Sequence, residues 1–380
     1  MEKRSGSVWF MVFLLLPLFW WTPGPCHALT GSGSLTENET WSGLVEITGD
    51  VTVPAGFTLK IEQGSLIRFD ANTGLHIYGR LDVIGTAANP ITFTSSSTSP
   101  GRGSWSGIYF YDSSLDVSVI DHAVIEYASR GLWCSKAHPS LRNSLLANNL
   151  IAVYLSDSSS PIIGCIIRDN QEHGIYLERS CSPWIANNHI TRCNNGVYVS
   201  GSYQASPTIR NNIIRNNVGY GIRMGSAYTP TISFNTLDVD GIGILLHTGD
   251  SYRSTISSNL ITSCRIGILR EYGAYTLSYN DLWNNQTNYS NLSTGGGDIS
   301  EDPLYLASGD FHLQSGSPCI DAGDPFMLDG DGTRADMGAY GGTGGPTATP
   351  GDTIPERPSN SLPADGALNL SASLILSASP

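Results

Sequence analysis

The sequence predicts an all-β parallel solenoid, and three observations predict it. Small residues recur at Gly107, Gly131, Ala152, Gly174, Gly196, Gly221, Gly243 and Gly267, at intervals of 21–25 residues. An apolar column keeps the same beat at Leu146, Ile167, Ile190, Ile214, Leu237, Ile261 and Leu282. Asparagine or a small polar substitute brackets that column on both sides. The residues two before it are Ser144, Cys165, Asn188, Asn212, Asn235, Asn259 and Asn280; three after it stand Asn149, Asn170, Cys193, Asn217, Asp240, Cys264 and Asn285. One repeat of this length cannot bury its apolar face alone, but coils stacked at ~4.8 Å form a continuous core.

Each element follows from those columns. Pro139, Pro161, Pro183, Pro207 and Pro230 mark the turns before each new coil. Asn suits the corners because it tolerates left-handed backbone and because stacked amides hydrogen-bond along a ladder. Leucine-rich repeats share the period but need a Leu-rich consensus that is absent. Helical repeats need a 3.6-residue pattern, and none appears.

The chain divides by composition. Residues 1–28 read as a secretory signal: Glu2, Lys3 and Arg4, an apolar run from Trp9 to Trp21 broken by Pro17, and a cleavage region ending at Ala28. That run is short for a membrane anchor, and no second stretch is long enough to span a bilayer. A lead-in occupies 29–44, the solenoid 45–300, and a closing coil or cap 301–341. A Gly/Pro/Thr linker follows over 342–360. The final segment, 361–380, reads either as the first strands of a truncated immunoglobulin- or fibronectin-like module or as a disordered tail. The mature chain is thus expected to be a monomer or a part of a longer multidomain protein, with no membrane insertion.

Formal charge is −13, and losing Lys3 and Arg4 (+2) and Glu2 (−1) with the signal takes it to −14. An acidic surface does not track a phosphate backbone, so nucleic acid is disfavoured. Acidic polysaccharides are disfavoured as well unless divalent cations bridge the two.

Three stretches resemble the right-handed parallel β-helix repeat proteins of the pectin-lyase-like and NosD-type group. VTVPAGFTLKIEQGSLIRF with LDVIGTAANPITFTSS (51–96) looks like the opening coils of secreted members. I-x-x-N-x-I-x-x-N with a later G-I fills 139–290, and DPLYLASGDFHLQSGSPCIDAGDP with DGDGTRADMGAYG (302–341) is similar to a closing motif. The likeness covers roughly 44–341 and implies the right hand of the coil. It says little about chemistry, because such a scaffold hosts lyases, hydrolases, epimerases and non-enzymes.

Alternation along the strand after each small residue predicts the outer surface. Ile108, Leu132, Val153, Ile175, Val197, Ile222, Ile244 and Ile268 face in. Phe110, Cys134, Leu155, Leu177, Val199, Met224 and Leu246 face in two residues on, with Arg270 the exception. The positions between face out: Tyr109, Trp133, Tyr154, Tyr176 and Tyr198, then Arg223, Leu245 and Leu269. Five consecutive coils thus place an aromatic on one outer column about 20 Å long. Two roles compete. The rings can pack across strands and hold the sheet. They can also form a platform for the C–H faces of sugars, since outward rings on a secreted protein mark a binding surface.

Chemistry beside the strip is sparse. Asp157, Glu178 and Arg179 fall on adjacent coils, with Arg223 and His247 two or three coils on. Asp157 and Glu178 could serve as the carboxylate pair of a glycoside hydrolase. A lyase would use a base with Arg179 or Arg223 stabilising a carbanion. The plainer reading is a solvated, mixed-charge edge, and the EHG run at 172–174 reads as corner residues. In the closing motif Asp321, Asp324, Asp329, Asp331 and Asp336 include a D-x-D-G run. It lacks the remaining oxygen positions of a calcium loop, so Asp329, Asp331 and Asp336 are weak Ca2+ candidates and a hydrogen-bonded cap is the expectation. No cofactor is called for. Neither C-x-x-C nor H-x-x-x-H occurs, and copper binding gains nothing from five Met. Cys193 and Cys264 share a column three coils apart, ~14 Å, beyond disulfide reach. The six cysteines after the signal are expected to be mostly buried free thiols.

Three functions fit: a secreted, cell-surface or periplasmic protein that binds extracellular polysaccharide through the aromatic column; a polysaccharide hydrolase or lyase on that face; or a structural or adhesin scaffold.

Overall fold

The structure is a computed structural model and describes residues 29–200, 204–227, 229–249 and 252–344. The expected signal segment, most of the linker and the C-terminal module or tail lie outside the described residues. Strands stack in parallel into a three-faced solenoid of about eleven coils, with no helix among the described residues. One coil shows the plan: Ser140–Arg142 on the first face, Leu145–Ala147 on the second and Ile151–Ser156 on the third. First-face strands form an 11-stranded sheet. The other two faces join in a 22-stranded sheet because Leu44–Val53 pairs on both. Leu29–Ser34 pairs in parallel with that strand, with a register shift between Gly31 and Gly33.

The core is the interior of the tube. Both inward columns of the third face are buried, from Ile108 and Phe110 to Ile244 and Leu246, as is the second-face column from Leu146 to Leu282. Ile120, Leu141, Ile162, Ile185, Ile209, Ile232 and Ile256 supply the first face. Like residues stack on like, so each coil buries the same kind of surface against the next.

The small-residue column has a steric cause. A Cβ on Gly196 would meet the Gly221 carbonyl oxygen at 2.5 Å and Ile214 Cγ2 at 2.9 Å. Gly174, Gly221, Gly243 and Gly267 face similar approaches from a later coil. The chain turns so closely into the third face there that nothing larger than the Ala152 methyl is found in the column.

Both Asn columns are buried ladders. Asn188 Nδ2 donates to Asn212 Oδ1 (2.9 Å), Asn212 to Asn235 (2.9 Å), Asn235 to Asn259 (3.0 Å) and Asn259 to Asn280 (2.9 Å). The series ends on Asp298, whose carboxylate accepts from Asn280 Nδ2, the Tyr289 hydroxyl and the Gly295 N–H. The second ladder runs Asn149 to Asn170 and Asn217 to Asp240, with Cys193 between.

One expectation needs correcting: the left-handed residues are not the ladder asparagines but their predecessors. At the first corner φ is 46° at Asn143, 58° at Asn187, 55° at Phe234 and 58° at Tyr279. At the second corner it is 57° at Asn148, 58° at Asp169 and 56° at Val239. Corner geometry is imposed by the coil, so even Phe and Val adopt it; the ladder position selects Asn for its amide.

The closing segment sits on the last coil but also runs back along the outside of the second face. Asn211 Nδ2 donates to the Ala339 and Gly341 carbonyls, and the Ala339 N–H to Thr236 Oγ1 (3.0 Å). The Asp324 N–H donates to Ser258 Oγ (2.9 Å), and the Cys319 thiol to Asp281 Oδ2 (3.4 Å). Leu260, Leu313, Cys319 and Met337 form a second small core beneath it. All six cysteines of the described residues are buried free thiols.

Candidate ligand-binding face

The third face carries the aromatic column in full register. Tyr109 lies opposite Trp133, Trp133 opposite Tyr154, then Tyr176, Tyr198 and Arg223 in succession. His76 extends it one coil toward the N-terminus, opposite Tyr109. All five aromatics are partly exposed, as outward positions on a half-solvated face should be.

Ring orientation departs from a flat platform. Tyr154 and Tyr176 have centroids 4.7 Å apart at 34°, and Tyr176 and Tyr198 5.6 Å apart at 11°. At such distances the rings overlap face to face along the tube, leaving their edges outward, and the Tyr109 hydroxyl donates back to the Ser106 carbonyl (2.9 Å). His173 leans on both Tyr176 (5.0 Å) and Tyr198 (4.6 Å). The Arg130 guanidinium lies 4.7 Å from the Tyr154 centroid, and that of Arg223 4.6 Å from Tyr198. Toward the N-terminus, Tyr78 stacks on Tyr111 (4.4 Å, 4°) and His76 on Tyr109 (5.2 Å, 11°). Trp133 breaks the pattern, tilted 56° to Tyr109 and 67° to Tyr111.

Burial favours the neutral forms of Tyr154 and His173. Burial, and then the nearby Glu178, push the Tyr154 phenol up to about 12. Burial, then Arg223, push the His173 imidazole down to about 4, and its Nδ1 lies 3.1 Å from Asn195 Nδ2. A neutral His173 accepting there keeps its Nε2 proton as a donor. The strip therefore presents phenol hydroxyls, an imidazole N–H and two guanidinium edges, a set that suits hydroxyl-rich ligands by hydrogen bonding.

Of the catalytic candidates, three come together. Arg179 Nη1 lies 3.5 Å from Asp157 Oδ2 and its Nε 3.9 Å from Glu178 Oε2. Ser156 Oγ donates to Glu178 Oε2 (3.0 Å), and the Ser180 N–H to Asp157 Oδ1 (3.3 Å). Arg223 is not in that group: it covers Tyr198 and donates to the Val199 carbonyl (3.2 Å). His247 pairs with Glu271 at 3.2 Å. The five residues thus occupy three places and do not converge.

The closing-motif carboxylates hold backbone. Asp329 Oδ1 accepts from the Gly342 N–H and Oδ2 from the Asp336 N–H, Asp336 Oδ1 from the Asp321 N–H, and Asp331 Oδ1 from Thr333. No group of three or more His, Cys, Asp or Glu among the described residues could hold a metal ion.

Sequence reasoning missed His76, Arg130 and His173 as members of the strip. The interval from His76 to Tyr109 is stretched by the loop before Trp105, which hides the repeat. His173 was legible: it stands three residues before Tyr176, as Arg130 does before Trp133.

Comparison with known proteins agrees with this fold. Residues 83–237 match the family model described as right handed beta helix region, and 33–114 that described as pectate-lyase like beta helix domain. Pectate lyase Pel9A superposes with a TM-score of 0.52 at 14% identity, covering 80% of this chain and 86% of that one. The periplasmic alginate epimerase AlgG gives 0.45 at 15%, covering 73% and 70%. The Azotobacter vinelandii mannuronan C-5 epimerase AlgE6 A-module gives 0.32 at 15%, covering 72% and 92%. At 14% identity the likeness to Pel9A is one of fold. No curated protein matches the sequence.

Proposed function

This chain is a right-handed parallel β-helix of the pectate-lyase-like kind, and from that premise we propose that its third face binds extracellular polysaccharide. The observation that carries the reading is the in-register column from Tyr109 to Tyr198, partly exposed and flanked by His173, Arg130 and Arg223. One ring per coil at ~4.8 Å gives a linear, repeating surface, which suits a linear, repeating ligand. A polymer of hydroxylated rings meets apolar ring edges together with phenol and imidazole hydrogen-bonding groups. The N-terminal segment read as a signal supports an extracellular, cell-surface or periplasmic setting. No helix among the described residues is long and apolar enough to cross a membrane.

The grouping of Asp157, Glu178 and Arg179 beside Tyr154 favours a second reading, a hydrolase or lyase on the same face. The test is the joint replacement Trp133→Ser, Tyr154→Ser and Tyr176→Ser, with folding checked by circular dichroism. Binding on a glycan array is expected to vanish. Unchanged binding overturns the proposal, and no binding by the parent leaves a scaffold role. Sugar release by the parent that Glu178→Gln abolishes, with binding retained, establishes the second reading.

A further inference from the structure

The closing segment is fastened over a buried carboxyl. Asp281 points outward from the second face yet is fully covered, because the segment lies on it. The Cys319 thiol donates to Oδ2 (3.4 Å) and the Glu301 N–H to Oδ1 (3.1 Å). Cys319 in turn packs with Leu260, Leu313 and Met337, so this contact joins the last coil, the turn after it and the returning strap.

The titratable groups around Asp281 are acids. Glu301 and Asp302 face it from the following turn, Tyr289 from the third face and Tyr305 from the antiparallel hairpin of Tyr305–Ala307 and Asp310–Leu313, and Asp336 faces Cys319. An ionised Asp281 would sit in a dry contact beside carboxylates, whereas a protonated one meets no repulsion and adds a donor.

We propose that Asp281 is a proton-sensitive latch: the closing segment seats most firmly in acid, and its grip weakens as the medium approaches neutrality. The fold supplies the two states, since the segment is a strap on the outside of a solenoid whose core is complete without it. Undocking would bare the outer second face from Asn211 to Asp281. The inference stands independently of what the third face binds.

The sign follows from linkage. Burial, opposed only in part by its hydrogen bonds, raises the docked carboxyl to about 7, against ~3.9 for a free one. Docking is therefore strongest below the free value, weakens through the interval between the two, and is level above pH ~7.

Hydrogen–deuterium exchange on the full chain tests this, with rates corrected for intrinsic pH dependence, in peptides covering 311–322 and 334–340. Opening of the segment is expected to rise by up to about tenfold per pH unit between pH ~4 and ~7, then level off. Asp281→Asn is expected to flatten that rise. Joint replacement of the exposed Glu301→Gln and Asp302→Asn is expected to move the levelling point to lower pH. Parent exchange that is constant over this interval overturns the latch, as does an Asp281→Asn chain with the parent slope. Should Asp281→Asn fail to fold, the parent profile and the double variant decide alone.

Discussion

Replacing Asn235 by Leu removes the middle rung of the first ladder while nearly keeping side-chain volume. Asn235 is fully buried. Its Oδ1 accepts from the Asn212 backbone N–H (3.1 Å) and Nδ2 (2.9 Å). Its Nδ2 donates to the Ile209 carbonyl (2.9 Å), the Ser233 carbonyl (3.1 Å) and Asn259 Oδ1 (3.0 Å). In the Leu variant the Asn212 N–H has no acceptor and no access to water. One orphaned donor costs about 1–3 kcal/mol, and the bonds lost by the three acceptors add about 0.5–1.5 kcal/mol each. The expected loss is roughly 3–5 kcal/mol, at the upper end of single-site effects. Serine is the internal control. Ser144 occupies the same column, accepts from the Ala123 N–H (3.0 Å) and donates to the Arg142 carbonyl (2.6 Å). Asn235→Ser keeps those two bonds and should lose about half as much. Equilibrium urea unfolding followed by circular dichroism gives both values, and hydrogen exchange should place the weakening in the adjoining coils. A loss below ~1 kcal/mol for Leu, or a serine variant less stable than the Leu variant, would refute the ladder argument.

Other outcomes follow from single positions. Gly196→Ala puts a Cβ 2.5 Å from the Gly221 carbonyl oxygen and should lower stability by about 1–3 kcal/mol in the same urea experiment. Val239 holds φ at 56° with its side chain exposed, so Val239→Asn should raise stability by about 1 kcal/mol. Asp240 stands in an Asn column with its Oδ1 accepting from Asn217, and burial raises its carboxyl well above the usual range. A raised carboxyl favours folding most at low pH and loses that favour as pH climbs from ~3.9 toward the folded value. Asp240→Asn, able to donate as Asn217 does to the Ile190 carbonyl, should remove that slope and be at least as stable as the parent at pH ~7.

How much of this was legible in the sequence differs from element to element. Inward columns were readable because one periodicity governs them: Val153, Ile175 and Val197 are alike in type and alike in burial. The register of the aromatic strip followed from the same beat. Corner geometry was misread by one residue, since Phe234, Val239 and Tyr279 give no turn signal; the coil overrides their local preference. The closing segment's return path was not readable either. It depends on contacts such as Asn211 to Ala339, more than a hundred residues apart, which no repeat encodes. Ring orientation on the strip was also hidden, because alternation tells which way a side chain points and not how its plane is turned.

The catalytic candidates fared according to how local they were. Asp157, Glu178 and Arg179 sit at one strand end on neighbouring coils, and the structure brings them together. Arg223 and His247 lie further along the tube, where Tyr198 and Glu271 engage them.

The most direct measurement for the binding face is calorimetric titration with oligosaccharides of graded length, drawn from whichever polysaccharide the parent retains. Affinity should strengthen with each added sugar until the ligand spans Tyr109 to Tyr198, about 20 Å, and then level off. A single sugar bound as tightly as a long chain, or affinity that keeps pace with length in the triple Ser variant, would contradict a linear site on the third face.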